Sequence, residues 1–100
     1  MEVFINEEAN ATVARLVGRL DTAVSQDVSS ALQPLMDAAS GTVILDCSQM
    51  SYISSSGLRI FLGIRKEAAA KGGRVIVRNL PDTIRQVFMM TGFLNLFEIQ

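Results

Sequence analysis

Three consecutive serines, Ser54, Ser55 and Ser56, followed by Gly57, are the residues of this chain whose types and spacing best suit chemistry. They sit where an amphipathic helix should begin. A single serine oxygen can satisfy one of the orphan N–H groups of a first helical turn, so one N-cap leaves two hydroxyls unexplained. A serine at an exposed helix start is accessible to a kinase. Its phosphate would lie against free N–H groups at the positive end of the helix dipole. Such a group carries about −1.5 to −2 charges at pH 7, enough to repel an acidic partner or to strand a dianion in an apolar interface. The plain alternative is an N-cap and a tight turn, with Gly57 allowing close backbone approach.

Other chemistries lack their residues. There is no histidine and only one cysteine, Cys47, so Ser-His-Asp and Cys-His arrangements, intramolecular disulfides and the usual zinc sites cannot be assembled within the chain. Cys47 is expected as a small core residue. No Gly-x-Gly-x-x-Gly follows a strand and no Gly-Lys-Ser/Thr cradle is present, which leaves nucleotide binding by the usual loops unsupported. No cofactor or metal is expected. Asp46, read as the end of a central strand, could accept phosphate in the manner of a receiver, although the acidic pair that would hold Mg²⁺ is poorly supplied near Phe4-Ile-Asn-Glu7. Nine basic and ten acidic residues are interspersed, so neither a nucleic-acid footprint nor a polybasic lipid patch is visible. No apolar run reaches spanning length and Met1-Glu2 does not begin a signal peptide, which makes the cytoplasm the default compartment. The expected partner is a protein or a small molecule.

The elements that must position the serines are short and closely spaced. Val3–Ile5 and Thr12–Val17 predict an antiparallel hairpin across a polar loop, Asn6–Asn10. Val24, Val28, Ala31, Leu32, Leu35 and Ala39 form a helical stripe with Asp21 or Thr22 as N-cap, and Pro34 predicts a kink or break in it. Val43–Leu45 has the continuous apolar character of a central parallel strand. A polar loop then leads to a second helix from Ser55 or Ser56 to Lys71, with Leu58, Phe61, Leu62, Ile64 and Ala68 inward, capped by Gly72-Gly73. Arg74–Val77 predicts a strand. Leu80-Pro81-Asp82 opens a third helix with Ile84, Val87 and Phe88 inward, and Asn95–Ile99 a last strand. Met89, Met90 and Phe93 are assigned to the core, with a partner surface as the alternative. The order β-β-α-β-α-β-α-β predicts one α/β domain over residues 1–100 with a mostly parallel five-stranded sheet that starts with an antiparallel hairpin.

Several segments carry a family resemblance. Val43-Ile-Leu-Asp-Cys-Ser-Gln-Met-Ser-Tyr-Ile-Ser-Ser-Ser-Gly-Leu58 resembles the hallmark of bacterial STAS domains of the anti-sigma factor antagonist family, an apolar strand ending in Asp, a Ser-Tyr-Ile step, then Asp-Ser-Ser-Gly or Asp-Ser-Thr-Gly-Leu opening a helix. Gly18-Arg-Leu-Asp21, Lys71-Gly-Gly-Arg-Val75 and Val87-Phe-Met-Met-Thr-Gly-Phe-Leu-Asn-Leu-Phe97 match in the right order, so the resemblance covers nearly the whole chain.

The resemblance implies a STAS-like fold and a non-enzymatic regulator. A partner anti-sigma factor that is itself an ATP-dependent serine kinase would phosphorylate Ser55, flanked by Ser54, Ser56 and Gly57. Unphosphorylated antagonist would capture that partner and free the sigma factor; phosphorylation would block capture. Asp21, Arg59, Gly63 and Lys66 are implied as partner-binding, against the plain reading of the last three as a solvated helix face. Two departures stand out. Ser54 occupies the family's acidic position, so kinase recognition differs or phosphorylation is lost. The chain ends at Gln100 where the family commonly adds a helix, which would leave a sheet face less covered and invite a weak homodimer or a larger partner surface. The alternatives are a constitutive scaffold or subunit of a larger signalling or transport assembly, and a small enzyme or phospho-accepting receiver centred on Asp46.

Overall fold

The computed structural model describes residues 1–100. Strands β1 (Glu2–Glu8) and β2 (Ala11–Leu20) form the hairpin, followed by helices α1 (Ser25–Ala31) and α2 (Gln33–Asp37) and strand β3 (Thr42–Ile53). Helix α3 (Ser55–Lys71), strand β4 (Arg74–Arg78), helix α4 (Asp82–Met90), a 3₁₀ turn (Phe93–Asn95) and strand β5 (Glu98–Ile99) complete one α/β domain. The sheet order is β1-β2-β3-β4-β5, antiparallel at β1-β2 and parallel thereafter. Sequential strands joined by crossovers of one hand place every helix on the same side of the sheet. Accordingly Ala14, Leu16, Val43, Leu45, Val75 and Val77 share one core with Val28, Leu32, Leu35, Phe61, Ile64, Ile84 and Phe88 of the helices. On the opposite face the buried apolar cluster is small: Ala11, Val13, Ile44 and Ile76.

The helix predicted from Thr22 to Ala39 is two short helices. Leu32 is the junction, and Pro34 stands in the first turn of α2, where its missing N–H costs nothing. Val28, Leu32, Leu35 and Ala39 are buried as the stripe predicts, but Ala31, the last residue of α1, is exposed. Leu62 on α3 is only half-buried.

Four further expectations are corrected. The polar loop predicted after Val43–Leu45 is strand: β3 continues to Ile53, because β2 curves with it through register shifts at Arg15/Val17 and Gly18/Arg19 and supplies partners as far as Leu20↔Ile53. Asp46 therefore lies within β3, not at its end. The hairpin connection is two residues, Ala9-Asn10, since Asn6, Glu7 and Glu8 tolerate an edge strand and pair with Val13, Thr12 and Ala11. Met89 and Met90 are exposed, at 61% and 84%; nine-residue α4 buries Ile84 and Phe88, and its last two residues point off that stripe. Phe93, by contrast, packs edge-on to Phe88, 6.0 Å between ring centroids, while β5 shrinks to two residues because the 3₁₀ turn consumes the segment before it.

Candidate functional site

The end of β3 delivers the serines directly into the first turn of α3. Ser54 is the N-cap, extended at φ −90° and ψ 172°, and its Oγ accepts a hydrogen bond from the Gly57 N–H at 3.2 Å. Its own N–H donates to the Leu20 carbonyl at 2.9 Å, which ties the helix start to the end of β2. Gly57 is buried: a Cβ there would lie 2.7 Å from Leu20 Cγ and 2.8 Å from Ile53 Cγ1, so only glycine lets α3 dock this closely on the β2 and β3 ends. Ser56 Oγ lies 3.4 Å from Thr22 Oγ1 on the β2-α1 loop. Ser55 is exposed, and its hydroxyl has no hydrogen-bond partner within the chain.

The same loop carries Asp21, whose Oδ1 accepts from the Val24 N–H at 3.1 Å. Asp21 thus caps the turn ahead of α1, while neither it nor Thr22 is the helix N-cap, a position taken by Val24 without a side-chain bond. The Leu20 and Ser56 contacts bring this loop beside the serines, so two segments 34 residues apart form one edge of the molecule.

Ser55, Arg59, Gly63 and Lys66 recur at spacings of four, four and three, and so follow one stripe along α3. Arg59 and Lys66 are exposed, and neither makes an ion pair within the chain. Gly63 is half-buried, and a methyl group in place of its hydrogen would meet nothing within 4 Å, so no packing inside the chain requires glycine there. Arg59 and Gly63 also line a cleft of about 260 Å³ between α3 and the α1-α2 pair, together with Leu32, Met36, Ile60 and Gln33. Sequence reasoning missed this cleft, and it named Thr22 only as an N-cap candidate, not as a neighbour of Ser56. The cleft depends on how the broken helix lies against α3, which no local pattern encodes.

Asp46 belongs to a different site on the uncovered sheet face. Arg78 donates from Nε to Asp46 Oδ2 at 3.3 Å and forks onto Glu8 at 3.0 and 2.8 Å. Burial alone would raise the Asp46 carboxyl; hydrogen bonds from Ser48 and Asn79, with the charge of Arg78, outweigh it and hold the carboxyl below its ordinary range. No group of three or more metal-ligating side chains gathers there. These contacts form a structural ion-pair network in which the Arg78 guanidinium stands between the carboxylates of Asp46 and Glu8. Cys47 is fully buried, and burial pushes its thiol up, away from the reactive thiolate.

The STAS domain family model matches residues 3–100. The chain belongs to the STAS domain family. As a STAS domain it is similar to BtrV of Bordetella bronchiseptica, 28% identical over 99 residues that cover 99% of this chain and 85% of that protein. It is 35% identical over 81 residues to the anti-sigma F factor antagonist of Lysinibacillus sphaericus, covering 80% of this chain and 69% of that one. Among solved structures it resembles the anti-sigma factor antagonist SpoIIAA in its unphosphorylated form, with a TM-score of 0.74 at 24% identity over 99% of this chain and 87% of that one. The phosphorylated form of SpoIIAA, from Bacillus, gives the same TM-score at 25% identity, covering 99% and 91%. No helix of this STAS domain is long and apolar enough to cross a membrane.

Proposed function

We propose that this STAS domain is an anti-sigma factor antagonist of the cytoplasm, a binding module without catalytic activity of its own, switched by phosphorylation of Ser55. In the unmodified state it captures an anti-sigma factor kinase through Asp21 and the α3 stripe of Arg59, Gly63 and Lys66, which releases the sigma factor. The observation that carries the switch is the division of labour among the serines: Ser54 caps α3 and Ser56 faces Thr22, while Ser55 alone presents a free hydroxyl to solvent. In the transfer step Ser55 Oγ gives its proton to a base of the kinase and bonds to the γ-phosphorus of the ATP that the kinase holds, as the bond from that phosphorus to the bridging oxygen breaks and ADP leaves.

The departure at Ser54 is compatible with this reading. Ser and Asp are comparable N-caps, so replacing the family's acidic residue by serine keeps the cap and removes one negative charge beside the phosphosite. Gly63 supports the interface. A glycine inside a helix costs about 0.5–1 kcal/mol relative to alanine, and with no packing reason inside the chain its use is close approach by a partner.

The test is intact mass and phosphopeptide mapping after incubation with the anti-sigma factor kinase of the same organism and Mg-ATP, together with capture of that kinase by Ser55→Ala and Ser55→Asp. One added phosphate should map to Ser55 and be absent from Ser55→Ala. Capture should survive in Ser55→Ala and weaken by about tenfold or more in Ser55→Asp. Intact capture without any phosphate would replace the switch with a constitutive scaffold, in which the serines only cap the helix.

A further inference from the structure

Resting on that reading, we propose that Arg59 is the group through which phosphorylation of Ser55 acts. In the unmodified protein its guanidinium pairs with a carboxylate of the kinase, beside an apolar side chain that enters the α2-α3 cleft; after phosphorylation it turns to the Ser55 phosphate and leaves the cleft rim.

Ser55 and Arg59 are at i and i+4 on α3, where side chains on a helix surface meet. Arg59 is also uncommitted. Lys71 is held by Glu67, Arg74 by Glu98 and Arg78 by Glu8 and Asp46, whereas Arg59 and Lys66 have no carboxylate within salt-bridge distance. The unmodified stripe therefore presents two positive charges and no negative one, which selects an acidic partner surface.

The cleft supplies the apolar half. Leu32, Met36, Ile60 and Ile64 give it an apolar lining, Gly63 adds no side chain to it, and Ser29, Gln33 and Arg59 supply its polar groups. An acidic residue next to an apolar one on the kinase fits both parts at once. Phosphate changes this balance from inside the chain. Its oxygens accept the planar two-pronged donation that guanidinium offers, and a charge-assisted pair of this kind is stronger than a neutral hydrogen bond. With Arg59 neutralised and a dianion beside it, the acidic partner meets repulsion where it had met a cation. Ser55 phosphorylation thus withdraws an attraction as well as adding a repulsion.

The experiment uses full-length chain carrying phosphoserine at 55 by semisynthesis, so that it does not depend on the kinase, in wild-type, Arg59→Gln and Arg59→Lys backgrounds. Titration of the phosphate by ³¹P NMR should give a second ionisation below the ordinary value of about 6 in the wild type, moved back up in Arg59→Gln and in between for Arg59→Lys. Identical titrations in wild type and Arg59→Gln would overturn the pairing. In the unmodified state, Arg59→Gln should weaken kinase capture by about tenfold. Unchanged capture would equally overturn the role of Arg59, whereas failure of the unsubstituted chain to bind the kinase would defeat the antagonist reading and leave the ³¹P result to decide the pairing.

Discussion

Ser54 and Ser55 are adjacent residues of one type with opposite obligations. The Ser54 oxygen is committed to the Gly57 N–H, and the Ser55 hydroxyl is committed to nothing in the chain. The assignment follows from backbone direction: the extended N-cap aims its side chain back over the first turn, while the next residue, already helical, points outward. Ser54→Ala should lower the unfolding free energy by about 1 kcal/mol in urea titrations, and Ser54→Asp should restore most of it by keeping the acceptor. Equal stability of Ser54→Ala and wild type would show that the cap bond contributes nothing. The serine triplet itself was legible, as was the need for more than one role among its hydroxyls. Which serine took which role depended on where β3 ended, and strand ends are set by pairing with β2.

At the scale of elements, β3, β4 and the end of β1 carry the Asp46–Arg78–Glu8 network across the helix-free face. Val13 is only 1% exposed there although no helix covers it, because Phe4, Glu8, Arg15, Asp46 and Arg78 line the depression above it, with the Arg15 guanidinium 4.9 Å from the Phe4 ring centroid. Long charged side chains thus shield the apolar rung. The Asp46 carboxyl is held below its ordinary value, so its contribution to stability is present above the unfolded-state pKa of about 3.9 and is lost as pH falls through the lower folded-state value. Asp46→Asn should therefore flatten the fall in stability below about pH 4, read as thermal midpoint against pH. A fall as steep as that of the wild type would place the acid sensitivity elsewhere. The sequence hinted at Asp46 through its position after an apolar run, but Arg78 and Glu8 are far from it in the chain, and only the sheet register brings the three together.

Across the whole molecule, stability should be graded from the centre of the sheet outward. β3 is paired on both sides, to β2 and to β4, and its Val43 and Leu45 are completely buried. β1 is an edge strand of mostly exposed residues and β5 is two residues long. Native-state hydrogen exchange should be slowest at Val43–Leu45 and fastest in β1 and β5. Uniform protection across the sheet would contradict this gradient. The last turn is nevertheless anchored, because the Phe97 ring lies 6.4 Å from Phe61 and 6.2 Å from Phe88 between centroids, joining the chain end to α3 and α4. The helix start at Ser55 lies outside this aromatic cluster. Charge can therefore be added there without disturbing the core.

Apolar periodicity, Pro34, Gly72 and the serine run were enough to determine the order of elements, the parallel sheet and the start and end of α3, because each is a local consequence of side-chain pattern or backbone freedom. Gly72 closes α3 in the left-handed region at φ 77°, as its position after the last periodic residue implied. Tertiary structure alone decided the rest. It extended β3 through a polar segment by supplying β2 as a partner, left Met89 and Met90 in solvent by turning the Ile84–Phe88 stripe of α4 to the core, and opened the cleft beside Arg59 by folding a proline-broken helix against α3. These outcomes depend on contacts between segments far apart in sequence, whose free energies outweigh the local preferences from which a sequence is read.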